Sequence, residues 1–323
     1  MTNKCCILTI DTEGDNIWKV RNSKCSISKI TTKNGKYLER FQILCEKYDL
    51  IPTYLVDYEM SLSKPFIEMT KYHRDNLEIG MHMHAWNNPP YYELSNRYGK
   101  NKSYIGEYPI EIQRKKVECI TKQLENVFEC SIKSHRSGRW YIDPQYIQVL
   151  IDYGYNIDCT VTPGINWTYN NGQTEESRGI DFSKAPQKAY YMSEKNVCIK
   201  ESKSNNNTMI EVPVSIIKKR VRISETLKYA DFWKRGVRNE IFSWLRPNGK
   251  NLEEMKKIVS VKSAENEYVE FMIHSSELMP GGNSTFRTND SIEALYKDLE
   301  ELFSYIKIMG YEGISLSSFA DRL

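Results

Sequence analysis

Two short clusters in the sequence combine residue types that can bind a metal ion and move protons. Asp11 and Glu13 are two positions apart, and His82 and His84 have the same spacing. On a β-strand, residues i and i+2 project to the same side, so each pair can reach a common point. Two imidazoles and one carboxylate form a three-ligand set for Zn²⁺ that leaves a fourth position open for water. The second carboxylate would then be free to act as a general base.

Three more reactive residues lie at the ends of predicted strands. Arg136 follows one strand, and Asp158 and His274 each end another. In parallel barrels the carboxyl ends of the strands form one face, where active sites are built from residues distant in sequence. We therefore predict one shared site. The competing interpretation is that the histidines are hydrogen-bonded barrel residues and the carboxylates are caps, and the clustering at strand ends favours the site.

The elements that must position these residues are predicted from hydrophobic patterning. Short runs rich in Ile, Val and Tyr alternate with longer amphipathic stretches, which is typical of repeated β-α units around a largely parallel sheet. The predicted strands are 5–10, 51–56, 77–83, 131–134, 155–158, 267–274 and 313–316, and the helices are about 34–48, 64–75, 110–128, 143–153 and 289–309. This alternation predicts an α/β fold of the (β/α) barrel type, complete or incomplete, rather than an open doubly wound sheet. No Gly-x-Gly-x-x-Gly follows the first strand to indicate a dinucleotide site.

Three stretches interrupt the alternation. Residues 85–108 are rich in Pro, Asn and Tyr, residues 160–208 are rich in Asn, Ser and Gly, and residues 218–262 have the pattern of two basic helices. Long loops in a compact domain often line a functional site. Because no internal repeat and no separable linker is evident, we predict one domain over 1–323 with these three insertions.

Composition excludes several classes of partner. The 323 residues include 45 Lys and Arg and 42 Asp and Glu, and this near-balance argues against nucleic acid or an anionic membrane as a partner. The first apolar run stops at Asp11 after six residues, which is too short for a signal segment or a membrane span. Eight scattered cysteines without a Cys-x-x-Cys zinc-finger arrangement are typical of reduced thiols. We therefore expect a cytoplasmic protein with no membrane span.

The sequence resembles the polysaccharide deacetylases, the family with the NodB homology domain that is also called carbohydrate esterase family 4. The motifs that carry the resemblance occur in the family's order and are Thr9-Ile10-Asp11-Thr12-Glu13, Gly80-Met81-His82-Met83-His84, His135-Arg136-Ser137-Gly138-Arg139-Trp140, Asp158 and Ile273-His274-Ser275. The Asp-x-Glu and Gly-x-His-x-His-x-Trp variants are similar to a branch associated with lipopolysaccharide and other surface-polysaccharide biosynthesis. The resemblance implies a distorted (β/α)7-type barrel and metal-dependent removal of an acetyl group from an N-acetylated sugar or a sugar-linked precursor.

The resemblance also implies proton-transfer roles. Asp11 matches the general base, and Arg136 matches the arginine that orients it. His274 matches the general acid, with Asp158 placed to hold or tune it.

The implied metal ligands depart from the family pattern at one position. Glu13 matches the second acid and His82 the first metal histidine. The family usually has its two histidines four apart, but position 86 is Trp86, so His84 is expected to replace the usual second ligand. Glu13 stands where Asp is more common, which lengthens the ligand arm by one methylene. The implied cofactor is a divalent metal, with Zn²⁺ the expected ion.

Substrate contacts are expected from aromatic residues in the loops on the same face, because flat rings stack on the apolar faces of sugars. Trp86 and Trp140 lie within four residues of a proposed site residue, and Tyr141 follows Trp140. Other aromatic residues after strand ends are Tyr91, Tyr92, Trp167 and Tyr169. Many aromatic residues in a chain of this composition must serve packing instead.

Three other functions compete with deacetylation. A metal-dependent enzyme of the amidohydrolase type usually carries His-x-His on its first strand, which here carries Asp11 and Glu13. A metal-free glycosidase could pair Asp11 with Glu13 or Asp158, but it leaves His82 and His84 without a role. A non-catalytic carbohydrate-binding barrel is consistent with the altered histidine spacing.

Overall fold

A largely parallel sheet forms the centre of the protein. The computed structural model describes residues 4–22, 26–95, 97–202, 208–219, 242–265 and 267–323. In chain order, its strands are β1 (Cys5–Thr12), β2 (Pro52–Val56), β3 (Glu78–Met83), β4 (Ser134–Ser137), β5 (Ile157–Asp158), β6 (Tyr190–Met192), β7 (Lys200–Glu201), β8 (Ile210–Glu211), β9 (Ile216–Lys218), β10 (Phe242–Trp244), β11 (Val269–His274) and β12 (Glu312–Gly313).

The helices follow the predicted alternation with the strands. They are α1 (Ile17–Asn22), α2 (Leu38–Lys47), α3 (Lys64–Tyr72), α4 (Ile110–Phe128), α5 (Pro144–Asp152), α6 (Leu252–Ala264), α7 (Asn289–Ile308) and α8 (Leu316–Ala320). Their apolar sides contribute to the core. For example, Phe303 of α7 contacts Phe41 of α2 and Phe271 of β11, with ring centroids 6.2 and 5.9 Å apart. All eight residues of β1 are buried, as expected for a parallel strand covered on both faces.

Seven parallel strands stand side by side in the order β11-β1-β2-β3-β4-β5-β8. Antiparallel β6 and β7 extend the sheet beyond β8, while β12 pairs with β1. Single backbone contacts link the segment after β8 to β11. Ser215 N donates to Glu270 O at 3.2 Å, and Met272 N donates to Leu245 O at 3.2 Å. Because these contacts join the two sides of the parallel array without a continuous ladder, the architecture is the distorted (β/α)7-type barrel that the sequence predicted.

Some predicted elements are displaced. The predicted strand at 131–134 lies instead at Ser134–Ser137, so Arg136 is inside the strand rather than after it. The predicted strand at 313–316 is limited to β12, and Leu316 already begins α8. The predicted helix at 34–48 begins as a 3₁₀ turn over Lys33–Tyr37. The short strands β6 to β10 were not predicted, because two- and three-residue strands have no measurable hydrophobic period.

Two of the insertions meet each other at the carboxyl ends of the parallel strands. The carboxylate of Glu107, in the insertion 85–108, accepts hydrogen bonds from the backbone nitrogens of Gln173 and Thr174 at 3.0 and 2.7 Å. Tyr104 OH donates to the carbonyl of Asn170 at 3.2 Å. These contacts join the first insertion to the described part of the second.

The third insertion is only partly described. Within 218–262 the structure contains the end of β9, β10 and most of α6, whereas residues 220–241 lie outside the described residues. One of the two predicted basic helices corresponds to α6. The other falls outside the described residues. Among the described helices, none combines the length and apolar composition needed to cross a bilayer.

Candidate active site

A cavity of about 150 Å³ opens at the carboxyl ends of the parallel strands. It is lined by Asp11, Trp18, Arg21, His82, His84, Ser137, Arg139, Trp140, Trp167, Asn170 and His274. A larger cleft of about 540 Å³ lies at the amino ends, beside Leu77, Glu78 and Ser131. The smaller cavity is the candidate site, because it brings together residues from β1, β3 and β11 that can bind metal and transfer protons.

Glu13, His82 and His84 converge as a compact buried group. Glu13 Oε2 lies 2.9 Å from His84 Nε2 and 3.4 Å from His82 Nε2, and the two Nε2 atoms are 3.2 Å apart. His82 Nδ1 lies 2.9 Å from the carbonyl oxygen of Arg136, which can only accept a hydrogen bond. Nδ1 therefore donates, and Nε2 faces Glu13 and His84. Burial would lower the pKa of His82, but Asp11 and Glu13 raise it, so a metal ion would take the place of the Nε2 proton. This ring orientation is the one that a metal-binding histidine requires, so the three residues fit a divalent ion.

Burial and charge set the protonation of this group. Burial alone would raise the pKa of Glu13, but His274, His82 and His84 hold it well below its usual value. Burial lowers the pKa of His84 to about 4, which favours the neutral imidazole that metals bind. Gly138 is required beside this ring, since a Cβ atom there would lie 2.4 Å from His84 Nδ1.

Asp11 is held by a fully buried arginine. Arg136 donates from Nη1 to Asp11 Oδ1 at 2.7 Å, from Nη2 to Glu270 Oε1 at 2.6 Å, and from Nε to the carbonyl of Cys159 at 2.9 Å. Thr9 Oγ1 also donates to Glu270 Oε1. Burial opposes ionisation of Asp11, but Arg136, followed by His82 and His274, lowers its pKa. Asp11 is therefore an ionised carboxylate with one oxygen fixed by Arg136 and the other facing the cavity.

His274 faces both carboxylates from the end of β11. Its Nε2 lies 3.6 Å from Asp11 Oδ2 and 3.7 Å from Glu13 Oε1. On the other side of the ring, Arg246 Nη2 is 2.8 Å from Nδ1, and Glu277 Oε2 is 3.6 Å from Nδ1. Sequence reasoning missed both Arg246 and Glu277, because neither belongs to a motif that marks it.

Asp158 does not contact His274. Its Oδ1 lies 2.6 Å from His135 Nδ1, and its carboxylate also accepts hydrogen bonds from the nitrogen and hydroxyl of Thr160 at 2.8 Å. The reason is strand register, since Asp158 on β5 stands directly opposite His135 on β4. The expected contact of Asp158 with His274 is thus replaced by contacts from Arg246 and Glu277.

The three predicted aromatic contacts have different positions. Trp140 lines the cavity. Trp86 is only 5% exposed and does not line the cavity. It packs with Ile17 and Val20 of α1 and with the ring of His84, whose centroid is 6.0 Å away. Tyr141 donates to Asp143 Oδ2 at 2.8 Å and likewise is not part of the wall.

Two other tryptophans complete the wall. Trp167, one of the wider set of aromatic residues after strand ends, lines the cavity together with Trp18. Trp18 Nε1 donates to Glu13 Oε1 at 2.8 Å. Trp18 was missed because the short helix α1 was not predicted, although its position five residues after Glu13 could have drawn attention to it.

No protein-family model and no curated protein matches the sequence. Solved structures do match. A predicted polysaccharide deacetylase from Mycobacterium smegmatis superposes with a TM-score of 0.54 at 11% identity, covering 99% of this chain and 90% of the other. A predicted glycoside hydrolase/deacetylase from Parabacteroides distasonis gives a TM-score of 0.56 at 9% identity, covering 99% of this chain and 71% of the other.

The chain has the fold of the polysaccharide deacetylases. The 4-alpha-glucanotransferase from Thermococcus litoralis is also similar, with a TM-score of 0.50 and 12% identity over 100% of this chain and 38% of that one. Because likeness at such low identity establishes the fold alone, the activity has to be argued from the site residues. Within this polysaccharide deacetylase fold, those residues are the Glu13, His82 and His84 group and the neighbouring Asp11 and His274.

Proposed function

We propose that this protein is a metal-dependent hydrolase that removes the acetyl group from an N-acetylated sugar in polysaccharide or lipopolysaccharide precursor metabolism. The observation that carries the proposal is the convergence of Glu13, His82 and His84 beside Asp11 and His274 in one cavity. The type of precursor rests on the sequence resemblance. Hydrolysis of an acetamide requires a metal-bound water, a general base and a proton donor, and the residues of this cavity are of the types that can supply each of them.

Glu13, His82 and His84 are the residues that would hold the metal. One carboxylate oxygen and two imidazole nitrogens are a donor set that Zn²⁺ accepts. A divalent ion bound there supplies Lewis acidity, which polarises the amide carbonyl and lowers the pKa of water. The tautomer of His82, set by the carbonyl of Arg136, supports this assignment.

Asp11 is assigned as the general base. Its free oxygen accepts a proton from the water that attacks the acetyl carbonyl. Arg136 keeps the carboxylate ionised and fixes its orientation through the 2.7 Å contact with Oδ1. Glu270 accepts a hydrogen bond from the other nitrogen of the guanidinium, Nη2, at 2.6 Å, which restricts movement of Arg136 away from Asp11.

His274 is assigned as the group that protonates the leaving nitrogen. Its Nε2 is directed toward the carboxylates at the cavity. In the neutral ring Nδ1 accepts from Arg246 Nη2 at 2.8 Å. When the ring takes up a second proton at Nδ1, Glu277 Oε2, 3.6 Å away, is the carboxylate beside that atom. Transfer of the Nε2 proton to the nitrogen completes cleavage of the C–N bond and leaves acetate and an amine. The rings of Trp140, Trp18 and Trp167 line the cavity, and in this proposal they contact the sugar.

Acetate release tests the proposal directly. Purified protein would be incubated with free, nucleotide-linked and lipid-linked N-acetylated sugars, after Zn²⁺ loading and after chelation. We expect acetate release that chelation abolishes and added metal restores. Glycosidic cleavage that is insensitive to chelation would contradict the proposal, as would sugar binding with no acetate released from any of these substrates.

A further inference from the structure

The candidate cavity contains two arginines that form no ion pair within the described part of the chain. Arg21 and Arg139 both line the cavity, and within the described part of the chain neither lies within 4.0 Å of a carboxylate oxygen. The two carboxylates of the cavity are engaged elsewhere. Asp11 pairs with Arg136 at 2.7 Å, and Glu13 contacts His84 at 2.9 Å. Glu13 attracts Arg21 and Glu107 attracts Arg139, but neither acid is in ion-pair contact with its arginine, so both guanidinium groups remain open to a closer anion.

Arg21 extends from the end of α1 along the cavity. Its guanidinium carbon lies 4.9 Å from the centroid of the Trp18 ring. Its Nε is buried and has no hydrogen-bond partner among the described residues. A buried donor without a partner costs free energy that a bound acceptor can restore. The unpaired Nε is a buried donor that an anionic ligand in the cavity would satisfy.

Arg139 reaches the same cavity from a turn in an unusual conformation. Both Arg139 and Trp140 have left-handed backbones, with φ of 61° and 56°. Consecutive non-glycine residues in this region are strained, and such strain is concentrated at ligand-binding sites. The turn places one cationic side chain and one aromatic ring next to each other on the cavity wall.

The contacts of Arg139 orient its side chain without neutralising it. Its guanidinium donates to the carbonyl oxygens of Lys102 and Asn171, the second at 2.9 Å, and lies 4.0 Å from the centroid of the Tyr104 ring. Carbonyl dipoles and a ring face position the guanidinium but carry no net negative charge. Arg139 is therefore a rigid cation that remains available for an anion.

We propose that Arg21 and Arg139 bind an anionic substituent, a carboxylate or a phosphate, on the N-acetylated sugar. This inference rests on the proposed deacetylation and specifies its substrate class. Arginine binds both anions through paired N–H donors, and aromatic rings nearby suit the apolar face of a sugar. Because the two arginines and the reacting groups line one cavity of about 150 Å³, the anion belongs to the deacetylated sugar residue or is attached directly to it.

Matched substrates test this inference. N-acetylglucosamine, its 1-phosphate and 6-phosphate, and N-acetylglucosaminuronic acid share one acetamido group and differ in charge. We expect kcat/KM for at least one anionic sugar to exceed that for the neutral sugar by about 10- to 100-fold, the range for hydrogen bonds to a charged group. Whichever anionic sugar has the higher kcat/KM, the phosphate or the carboxylate, identifies the anion that the site binds.

Arg21 is the preferred site for substitution, because Arg139 also holds backbone carbonyls. Arg21→Gln should lower kcat/KM for the anionic sugar to the level of the neutral one, and Arg21→Lys should retain part of the difference. Arg114→Gln is the matched control, since Arg114 pairs with Asp152 outside the cavity and should leave the preference unchanged.

The outcomes separate this inference from the proposed function. Acetate release at equal kcat/KM for neutral and anionic sugars, with no selective effect of Arg21→Gln, would overturn the anion site and leave deacetylation in place. Calorimetric binding of an anionic sugar that Arg21→Gln abolishes, without acetate release, would support the anion site and overturn deacetylation. Absence of any binding or turnover of the anionic sugars would overturn the anion site.

Discussion

Arg246 donates a hydrogen bond to Nδ1 of His274 across 2.8 Å, and the same Nη2 nitrogen also donates to Glu277 Oε1 at 2.8 Å. A guanidinium has no acceptor, so Nδ1 must be the acceptor in this contact. The neutral His274 ring then carries its proton at Nε2, the atom that lies 3.6 Å from Asp11. The orientation of the proposed proton donor is therefore set by a residue 28 positions earlier.

Arg246→Gln should lower kcat by about 10- to 100-fold, because a small misplacement of a catalytic group has effects of that size. KM should change little, since Arg246 does not line the cavity. Steady-state kinetics of acetate release would measure both constants. Arg246→Lys should recover part of kcat, and Arg114→Gln serves as the control. A rise in KM with kcat unchanged would contradict a positioning role.

Asp11→Asn should lower kcat by about 10²- to 10⁴-fold and leave metal content unchanged. The substitution removes the proposed general base but none of the three proposed ligands. Acetate release and elemental analysis of the same preparation would measure the two properties, with circular dichroism to confirm folding. Loss of metal in this variant would reassign Asp11 as a ligand.

His84→Gln should weaken metal binding by more than the roughly 10- to 100-fold that loss of an outer-shell partner costs, because His84 is a proposed direct ligand. Equilibrium dialysis with Zn²⁺ would give the affinity and a stoichiometry near one ion per chain. His73→Gln is the control, as His73 is also buried but contacts Glu46 at 2.7 Å. Equal affinity in wild type and His84→Gln would exclude His84 as the replacement ligand.

Arg136→Met should destabilise the fold by about 3–5 kcal/mol, because it leaves Asp11 and Glu270 buried without their cationic partner. Urea denaturation would measure the free energy of unfolding. Arg114→Met removes a partly exposed ion pair and should cost only about 0–1 kcal/mol. If Arg136→Met lowered the free energy of unfolding by as little as Arg114→Met, the buried network would contribute little to stability.

The stability contributed by Glu277 should depend on pH. Burial would raise its pKa, but the charge of Arg246, together with the adjacent His274 and its backbone N–H, holds it at about 2, below the ordinary value of 4.5. The folded state thus favours the ionised form, so the stabilisation is complete above pH 4.5 and is lost as pH falls toward 2. For a shift of this size it amounts to about 3 kcal/mol at neutral pH.

Glu277→Gln should therefore be less stable than wild type by about 3 kcal/mol at pH 6, with the difference roughly halved at pH 3. Urea denaturation midpoints of the two proteins, measured from pH 6 to pH 3, would show their stabilities approaching each other. Glu293→Gln, at an exposed ion pair with Arg40, is the control and should show a small difference throughout. A difference between wild type and Glu277→Gln that does not vary with pH would contradict the predicted ionisation.

Local sequence pattern was enough to predict most of the barrel and that the residues at the centre of the candidate site lie close together. Asp11, Glu13, His82, His84 and His274 each lie at or just beyond the end of a strand that its own apolar run identifies. In a parallel array those ends meet at one face, so their proximity follows from fold class and local period alone. The motifs that resemble the polysaccharide deacetylases strengthened the same prediction.

The remaining contacts could not be predicted from the sequence, because they depend on register and on packing between distant segments. Asp158 meets His135 since the β4–β5 ladder places them opposite each other, a pairing that no local pattern encodes. Arg246 contacts His274 only after the third insertion has packed against β11.

The sequence by itself thus determined which residue types reach the carboxyl face, because alternation along a strand is a short-range property. The tertiary structure alone decided which side chains pair there. Trp86 is buried under α1 and Trp18 takes a place on the wall, although Trp86 is the closer of the two to the histidines in sequence. The physical reason is that a side chain's neighbours across a barrel are set by how separate segments pack, which the spacing along one segment does not specify.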